Sequence, residues 1–453
     1  MARDTGALRG RCRTDVWFFV SLHPCRDNET LRGNKTGARF AVRQCVALWG
    51  GVAPCKGSFM KSVPRFVAAV SLLALAACQT PAPLAPVPPV QVSGALTQHQ
   101  PLASDLGVAG SGPAFSIRYL STDGVTSAGL VPVTGVVIYP AGPAPSGGWP
   151  IVAWAHGTVG IADSCAPSRN PRSARDQEYL NEWLHRGFAI VATDYQGLGS
   201  DGTHPYLNAR TEAYSVLDGV KAALAGLPDL SNNIMIVGQS QGAGAAFASA
   251  AYAPAYAPAL HVRGVVATGI PYMSPEVIKA VLHAKPQNSA NGIDPVVAYA
   301  LLIGASEAGL NPAFNPEQAF TERAMPEFHA ASEICARPLM ERIKAEGLTR
   351  ANAFAPTLSQ ALAPAFKTMA FPTLKLDVPL FVGIGMTDRD VAPQGQLMLV
   401  KDACAAGTTV QAHLYKGQDH SQAVLASMVD SAAFTSAVMH GQPVQPVCKP
   451  VAQ

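Results

Sequence analysis

The feature that most constrains this chain is a glycine-flanked serine that lies between a strand-like run and a helix-like run. Residues 233–238 read NIMIVG, residues 238–242 read GQSQG, and the Ala-rich run GAGAAFASAAY follows at 242–252. A strand that turns sharply into a helix at G-x-S-x-G holds its serine in a strained conformation, with the hydroxyl above the sheet. The helix start also leaves backbone N–H groups unpaired, so the N–H of Gln241 can donate to an oxyanion. This setting predicts Ser240 as a nucleophile.

A phosphate-binding loop is one competing interpretation of the glycine-rich turn, and plain packing of a strand on a helix is another. A phosphate loop needs a lysine after its last glycine. Ala243 stands at that position. The combination of strand, turn and small-residue helix therefore favours the nucleophile.

From about residue 115 the chain alternates short apolar runs with helical stretches, an order typical of a mostly parallel sheet with helices on both faces. The apolar runs are continuous, as expected for strands buried on both faces. A helix from about Asp176 is expected to end at Gly187. Together with the serine turn, the pattern predicts an α/β-hydrolase fold. The candidate strands are 135–140, 150–155, 188–194, 233–238, 264–269, 379–385 and 410–415.

Two later loops carry the partners that such a serine needs. In this fold the chain order is serine, acid, histidine, and both partners follow sheet strands. The run PLFVGIG is followed by a loop with Asp388, and the run VQAHLY by a loop with His420. An imidazole takes the serine proton effectively when a carboxylate fixes its tautomer and stabilises the imidazolium. We predict Asp388 for that role because it comes first after its strand, and Asp390 and Asp419 are the rivals.

Between residues 270 and 371 the strand pattern stops and helical signals replace it. Asp294 has the position of an N-cap, Pro295 that of the first helical residue and Gly309 that of a stop. An insert of about 100 residues is too long for a connecting loop. Its many Ala, Leu, Phe and Met side chains suit acyl chains. We therefore predict a helical cap at about 271–370, with a packing insert that has no role in binding as the alternative.

A basic start followed by an apolar run lies within the chain. Met60 and two basic residues precede the apolar residues 66–77, and Leu-Ala-Ala-Cys at 75–78 reads as a lipobox. The run is too short to span a membrane. We predict a lipoprotein signal peptide at 60–78 with lipidation of Cys78, and a buried core helix is the alternative.

The signal also assigns the segments around it. Residues 1–59, which are basic and patternless, become an upstream translation extension. The Pro-rich residues 79–105 become a semi-rigid tether, and the hydrolase domain spans 106–450. The whole chain has a net charge of +3, but without the extension and signal about −5 remains, so no basic patch argues for nucleic acid. We expect an exported, outer-membrane-anchored lipoprotein, periplasmic or at the cell surface, whose oligomeric state stays open.

Four cysteines lie in the predicted domain. An even number in an oxidising compartment suits two disulfides, with three connectivities open, and four free thiols are the alternative. No pair has the close spacing of a structural zinc site, so we expect no metal. The cysteines are Cys165, Cys335, Cys404 and Cys448.

Four short motifs together resemble the secretory lipase family typified by fungal lipase A, over about residues 110–450. The resemblance implies that the backbone of Asp194 is the second oxyanion donor, whereas from the residues alone Gly157 and Thr158 are equally good donors. It also implies the disulfides Cys165–Cys335 and Cys404–Cys448, the second enclosing His420. The glutamines on both sides of the serine and the lipoprotein signal depart from the fungal members. The motifs are His156-Gly157-Thr158, Asp163-Ser164-Cys165-Ala166-Pro167-Ser168, Asp194-Tyr195-Gln196-Gly197 and the Ser240 turn.

These observations predict a serine hydrolase that cleaves carboxylic esters, a lipase or esterase for lipid esters, through an acyl-enzyme formed with Ser240, His420 and Asp388. Such a mechanism needs no cofactor. The expected partners are an ester or lipid substrate and a membrane reached through Cys78. A peptidase or amidase on the same triad is one alternative, which a polar, charged cap would indicate. A non-catalytic lipid-binding surface lipoprotein is the other, which the intact triad disfavours.

Overall fold

The computed structural model describes residues 91–283 and 292–451. The described residues all belong to the unit Ala85–Gln453. The predicted translation extension, the signal peptide, the lipidation at Cys78 and the first part of the tether lie outside the described residues. In the described part, no helix is long and apolar enough to cross a membrane.

One mixed sheet of nine strands organises the described residues. Its order is β1-β2-β3-β5-β4-β6-β7-β8-β9, in which the neighbours from β1 to β5 are antiparallel and the later pairs are parallel. All seven predicted strands are present, and the predicted α/β-hydrolase fold is confirmed. The strands are β1 (Leu96–Pro101), β2 (Ala114–Thr122), β3 (Leu130–Ile138), β4 (Trp149–Ala155), β5 (Ala189–Thr193), β6 (Leu230–Gln239), β7 (Val262–Thr268), β8 (Leu380–Gly385) and β9 (Val410–Tyr415).

Helices cover both faces of this sheet. Along β4, Ile151 and Ala153 join one apolar cluster with helices α2, α3 and α11, whereas Val152 and Trp154 join another with α1 and α13. Because side chains alternate along a strand, burial of both faces requires apolar residues at consecutive positions. The helices that pack on the sheet are α1 (Ala174–His185), α2 (Ala209–Gly226), α3 (Gln241–Tyr256), α11 (Pro393–Ala405), α12 (Gln422–Ala426) and α13 (Met428–Met439). The helices between β7 and β8 are α4 (Pro275–His283), α5 (Pro295–Leu310), α6 (Met325–Ala330), α7 (Ala336–Ala345), α8 (Arg350–Ala353), α9 (Leu358–Ala361) and α10 (Ala363–Thr368).

Helices α4 to α10 form the cap, which has an apolar cluster of its own. Asp294 caps α5 as predicted, since its side chain accepts from the N–H of Val296. It also accepts from the guanidinium of Arg350 at 2.6 Å, which ties α5 to α8. Gly309 does not stop α5, because the N–H of Asn311 still bonds to a carbonyl four residues earlier.

The folded domain begins earlier than the predicted boundary at residue 106. Strand β1 pairs antiparallel with β2, and a 3-10 turn follows at Ser104–Leu106. The end of the predicted tether is therefore part of the sheet layer. These two strands lack a continuous apolar run because β1 is mostly exposed and β2 alternates between buried and less buried positions.

Candidate active site

Ser240 lies at the sharp turn between β6 and α3. Its backbone has φ +57° and ψ −124°, and a positive φ is uncommon for a residue with a side chain. Close approach explains the flanking glycines: a Cβ on Gly238 would overlap the backbone of Gly242, and a Cβ on Gly242 would overlap the carbonyl of Ala155 in β4. The N–H of Ser240 donates to the carbonyl of Thr268 in β7 at 2.9 Å. The surrounding backbone thus holds the strained residue at the carboxyl edge of the sheet.

His420 and Asp388 lie side by side in the loops that follow β9 and β8. The Nδ1 of His420 donates to Oδ2 of Asp388 at 2.7 Å, and both side chains are buried. Asp388 also accepts from the Gln396 amide at 3.0 Å and from the backbone N–H groups of Asp390 and Val391 at 2.9 Å each. Burial alone would lower the pKa of His420, but the charge of Asp388 and the hydrogen bond to it raise that pKa above its usual value. This arrangement fixes the ring and stabilises the imidazolium.

The two rival carboxylates have other partners. Asp390 accepts from the Tyr299 hydroxyl of α5 at 2.6 Å. Asp419 accepts from the backbone N–H groups of Ser421 and Gln422 at 3.0 and 2.8 Å, so it stabilises the turn into α12. The geometry therefore brings Asp388, and neither rival, into hydrogen bonding with the imidazole in the described part of the chain.

Gln239, directly before the serine, makes a contact that the sequence analysis missed. Its amide nitrogen lies 2.9 Å from Nε2 of His420. Because the other ring nitrogen donates to Asp388, Nε2 is the acceptor and the amide is the donor. In the described residues no hydrogen bond joins Nε2 to the Ser240 hydroxyl. Nε2 of His420 is therefore paired with the Gln239 amide. The only sequence signal was an amide side chain beside the nucleophile.

The candidate oxyanion donors differ in whether their backbone N–H groups already have an acceptor. Gln241 opens α3, so its N–H is among those that a helix leaves unpaired. Gly157 and Thr158, in the loop after β4, line the same depression as the nucleophile. Asp194 does not fit the role that the resemblance implies, because its backbone N–H already donates to the carbonyl of Thr134 at 2.8 Å. Gln241 with Gly157 or Thr158 is the combination that the geometry leaves.

The side chain of Gln241 anchors the turn from inside the protein. Its amide donates to Glu212 at 2.8 Å and lies 3.2 Å from Nε2 of His204. Glu212 also accepts from the N–H of Leu207 at 3.0 Å. Burial raises the pKa of Glu212 to about 8, despite the lowering effect of these two hydrogen bonds, and it lowers the pKa of His204 to about 4. Both groups are therefore mainly neutral near pH 7, and the network carries little charge.

A family model matches more than half of the chain. The model of the secretory lipase family covers residues 173–428, which include Ser240, Asp388 and His420. The chain belongs to the secretory lipase family. This membership places it among the carboxylic ester hydrolases. No curated protein matches the chain.

Solved structures share the fold of this chain. Lipase A from Candida antarctica in its closed state matches with a TM-score of 0.61 at 20% identity, covering 80% of this chain and 86% of that chain. The rice cell wall degrading esterase LipA from Xanthomonas oryzae, in a ligand-bound form, matches with a TM-score of 0.58 at 17% identity, covering 78% of this chain and 98% of that chain. At such identities the likeness concerns the fold alone.

Two disulfides join segments around the candidate site. Cys165–Cys335 links the loop after β4 to the start of α7 in the cap, and Cys404–Cys448 links the end of α11 to the C-terminal segment. Both are the pairs that the resemblance implies. Val447, next to the second disulfide, forms a bridge with Gln411 of β9, the strand before the His420 loop. Disulfides and family together indicate an exported protein.

Two depressions meet at Ser240. The first, which we call the acyl pocket, has a volume of about 130 Å³ and is lined mainly by apolar side chains, including Val277 of α4 and Ile303 of α5. The second, which we call the cleft, has a volume of about 820 Å³ and is lined by His420, Gln239 and the start of α1. The cap residues that line the acyl pocket are therefore mainly apolar.

Proposed function

We propose that this member of the secretory lipase family hydrolyses esters of aliphatic carboxylic acids through a covalent intermediate on Ser240. The observation that carries the proposal is the 2.7 Å hydrogen bond between His420 and Asp388 beside the strained serine, at the mouth of an apolar pocket. A serine hydroxyl is a weak nucleophile unless a base removes its proton, and an oriented imidazole is such a base.

In the proposed reaction the Ser240 oxygen attacks the ester carbonyl carbon while Nε2 of His420 takes the hydroxyl proton. The N–H of Gln241, with that of Gly157 or Thr158, stabilises the negative carbonyl oxygen. The bond between the carbonyl carbon and the alcohol oxygen then breaks, and the imidazolium gives its proton to that oxygen. A water molecule, deprotonated by the same imidazole, attacks the acyl-enzyme and releases the carboxylic acid.

The acyl pocket supports lipid esters as the substrates. Val281 and Leu282 of α4, Val296 of α5 and Phe366 of α10 all line it. Burial of an acyl chain against such side chains contributes about 0.8 kcal/mol per methylene group. This apolar lining suits the hydrocarbon chain of a lipid ester.

Ser240→Ala tests the proposal. We expect it to lower ester hydrolysis on the order of 10⁴-fold or more and to abolish labelling by an alkyl phosphonate, because only the attacking oxygen is lost. A panel of nitrophenyl esters of two to sixteen carbons, with peptide anilides alongside, measures the activity and shows whether the enzyme prefers esters or amides. Ser332→Ala, an exposed serine of the cap, is the matched control. Labelling of another serine, or faster cleavage of the anilides, contradicts the proposal.

We also propose that Cys78 carries a lipid that anchors the exported enzyme in the outer membrane. Support comes from the lipobox at 75–78 and from the two disulfides, which suit an oxidising compartment. Radioactive palmitate should label the wild-type protein in the membrane fraction, and Cys78→Ser should remove the label and release active enzyme. Label that persists in Cys78→Ser contradicts the anchor and leaves the ester chemistry untouched.

A further inference from the structure

The cleft lies on the side of Ser240 from which the alcohol must leave. This inference rests on the proposed function. His420 lines the cleft and does not line the acyl pocket. Because the imidazole delivers its proton to the alcohol oxygen as the ester bond breaks, that oxygen must lie within hydrogen-bond reach of Nε2. With the acyl chain in the acyl pocket, the alcohol part of the ester lies in the cleft.

Arg172 lines this cleft, and part of its guanidinium has no protein partner. Its Nε and Nη2 atoms are buried and donate to no acceptor among the residues that the structure describes. These two nitrogens form one edge of the guanidinium, and such an edge pairs with two oxygens of a carboxylate or phosphate. A buried charged donor without an acceptor is costly in free energy. The edge is therefore suited to a ligand that supplies two oxygens.

The carboxylates nearest to Arg172 are already engaged by other groups. Asp194 accepts from the N–H of Ser168 at 2.9 Å and from a threonine hydroxyl at 2.7 Å. Asp176 pairs with Arg175 at 2.7 Å. Burial lowers the pKa of Arg172 and the charges of these two carboxylates oppose that effect, but an arginine stays protonated in either case. The charge of Arg172 is thus moderated by its surroundings, while its Nε and Nη2 atoms have no acceptor among the described residues.

Two further positive features line the cleft. Arg172 directly precedes Ser173, the N-cap of the twelve-residue helix α1, and the partial positive charge of a helix N-terminus attracts anions. Arg337, exposed in the first turn of α7, lines the cleft from the cap. Asp176 is the acidic lining residue, and Arg175 neutralises it. The balance of charge in the cleft is therefore positive.

We propose that the cleft binds an anionic group, a phosphate or a carboxylate, on the alcohol part of the ester, with Arg172 as the main donor. The substrates are then esters of anionic alcohols, such as a fatty acyl ester of glycerol phosphate. The acyl pocket selects the chain, and the cleft selects the charge of the leaving group.

The experiment compares decanoyl esters of glycerol, glyceric acid and glycerol 3-phosphate, which share an acyl chain and differ in the charge of the alcohol. We expect wild-type kcat/KM to be about tenfold or more higher for the charged esters, and we expect Arg172→Gln to remove this preference. Arg172→Lys should keep only part of the preference, because an ammonium cannot form the two-donor edge. Arg118→Gln, on the exposed side of β2, is the matched control.

The outcomes are distinct. Equal rates for charged and neutral esters, or an equal loss on all three esters in a folded Arg172→Gln, overturn the anionic site but leave the proposed ester hydrolysis intact. If wild-type enzyme cleaves none of the esters, both proposals fall. If Arg172→Gln does not fold, competition decides: glycerol 3-phosphate should inhibit wild-type cleavage of the neutral ester more strongly than glycerol does, with Arg337→Gln weakening that inhibition, and equal inhibition overturns the site.

Discussion

The sheet side and the cap side of the Ser240 site are built by different means. On the sheet side, hydrogen bonds fix each candidate catalytic group: Asp388 has four such bonds, one of them to His420. On the cap side, apolar side chains such as Ile303 and Leu358 border the acyl pocket, and packing within the apolar cluster of the cap holds them. Proton transfer requires fixed angles and distances, whereas recognition of an acyl chain requires volume and apolar surface. The two sides should therefore respond differently to substitution.

The sharpest test of the sheet side is Asp388→Asn compared with Asp390→Asn. We expect the first to lower kcat by on the order of 10³–10⁴-fold, because an amide does not hold the tautomer or stabilise the imidazolium. The second should cost less than about tenfold, since Asp390 accepts from Tyr299 and not from His420. Steady-state kinetics on a nitrophenyl ester measures both. Similar losses in the two variants would mean that both carboxylates orient the base.

The cap side should change selectivity before it changes turnover. Ala300→Leu adds volume inside the acyl pocket, so we expect about a tenfold loss of kcat/KM on long-chain esters and little change on acetyl esters. Ala308→Leu, exposed further along the same helix, is the control. The ratio of decanoyl to acetyl activity is the measurement. Equal effects on both chain lengths would show that α5 supports the catalytic groups rather than the chain.

Replacing one cysteine of each disulfide by serine tests the cap side and the sheet side with the same kind of substitution. The loss of chain entropy in the unfolded state sets an upper value for the free energy by which each disulfide stabilises the fold. This value is about 4 kcal/mol for Cys404–Cys448, which closes a loop of 44 residues, and about 5 kcal/mol for Cys165–Cys335, which closes a loop of 170. Cys335→Ser should lower thermal stability and alter long-chain preference, because it frees the cap from the loop after β4. Cys448→Ser should lower activity on all esters while the protein is still folded, because it loosens the segment beside β9. Melting curves and the ester panel measure both effects. Identical changes in the two variants would show that the cap side and the sheet side do not respond differently.

The smallest effect that we expect concerns Glu212, beneath the serine turn. Its pKa is about 8 in the folded protein against 4.5 ordinarily, so the folded state holds an extra proton between these pH values. Folding stability should therefore fall as pH rises through this window, by up to a few kcal/mol. Glu212→Gln keeps the acceptor for Gln241 and Leu207 and should flatten that slope. Melting temperatures from pH 5 to 9 measure this pH dependence. An unchanged slope in Glu212→Gln would mean that another group causes it.

Local patterns in the sequence were sufficient for the parts of the site that follow strands. Ser240, Asp388 and His420 each come just after a continuous apolar run, and parallel strands bring their carboxyl ends to one edge of a sheet. The seven strands with such runs could be predicted for the same reason, since burial on both faces leaves a continuous apolar signal. The assignment of Asp388 over Asp390 and Asp419 also rested on this position.

Only the tertiary structure decided which polar groups have partners. The N–H of Asp194 bonds to Thr134, sixty residues earlier in the chain, which removes it as an oxyanion donor. The Gln239 amide reaches His420, 181 residues away, and the free edge of Arg172 is defined by the positions of many other residues. Hydrogen bonds act over about 3 Å, so their partners depend on how distant segments meet. The sequence by itself therefore determined the fold and the candidate catalytic residues, and the packing of distant segments decided how each polar group is used.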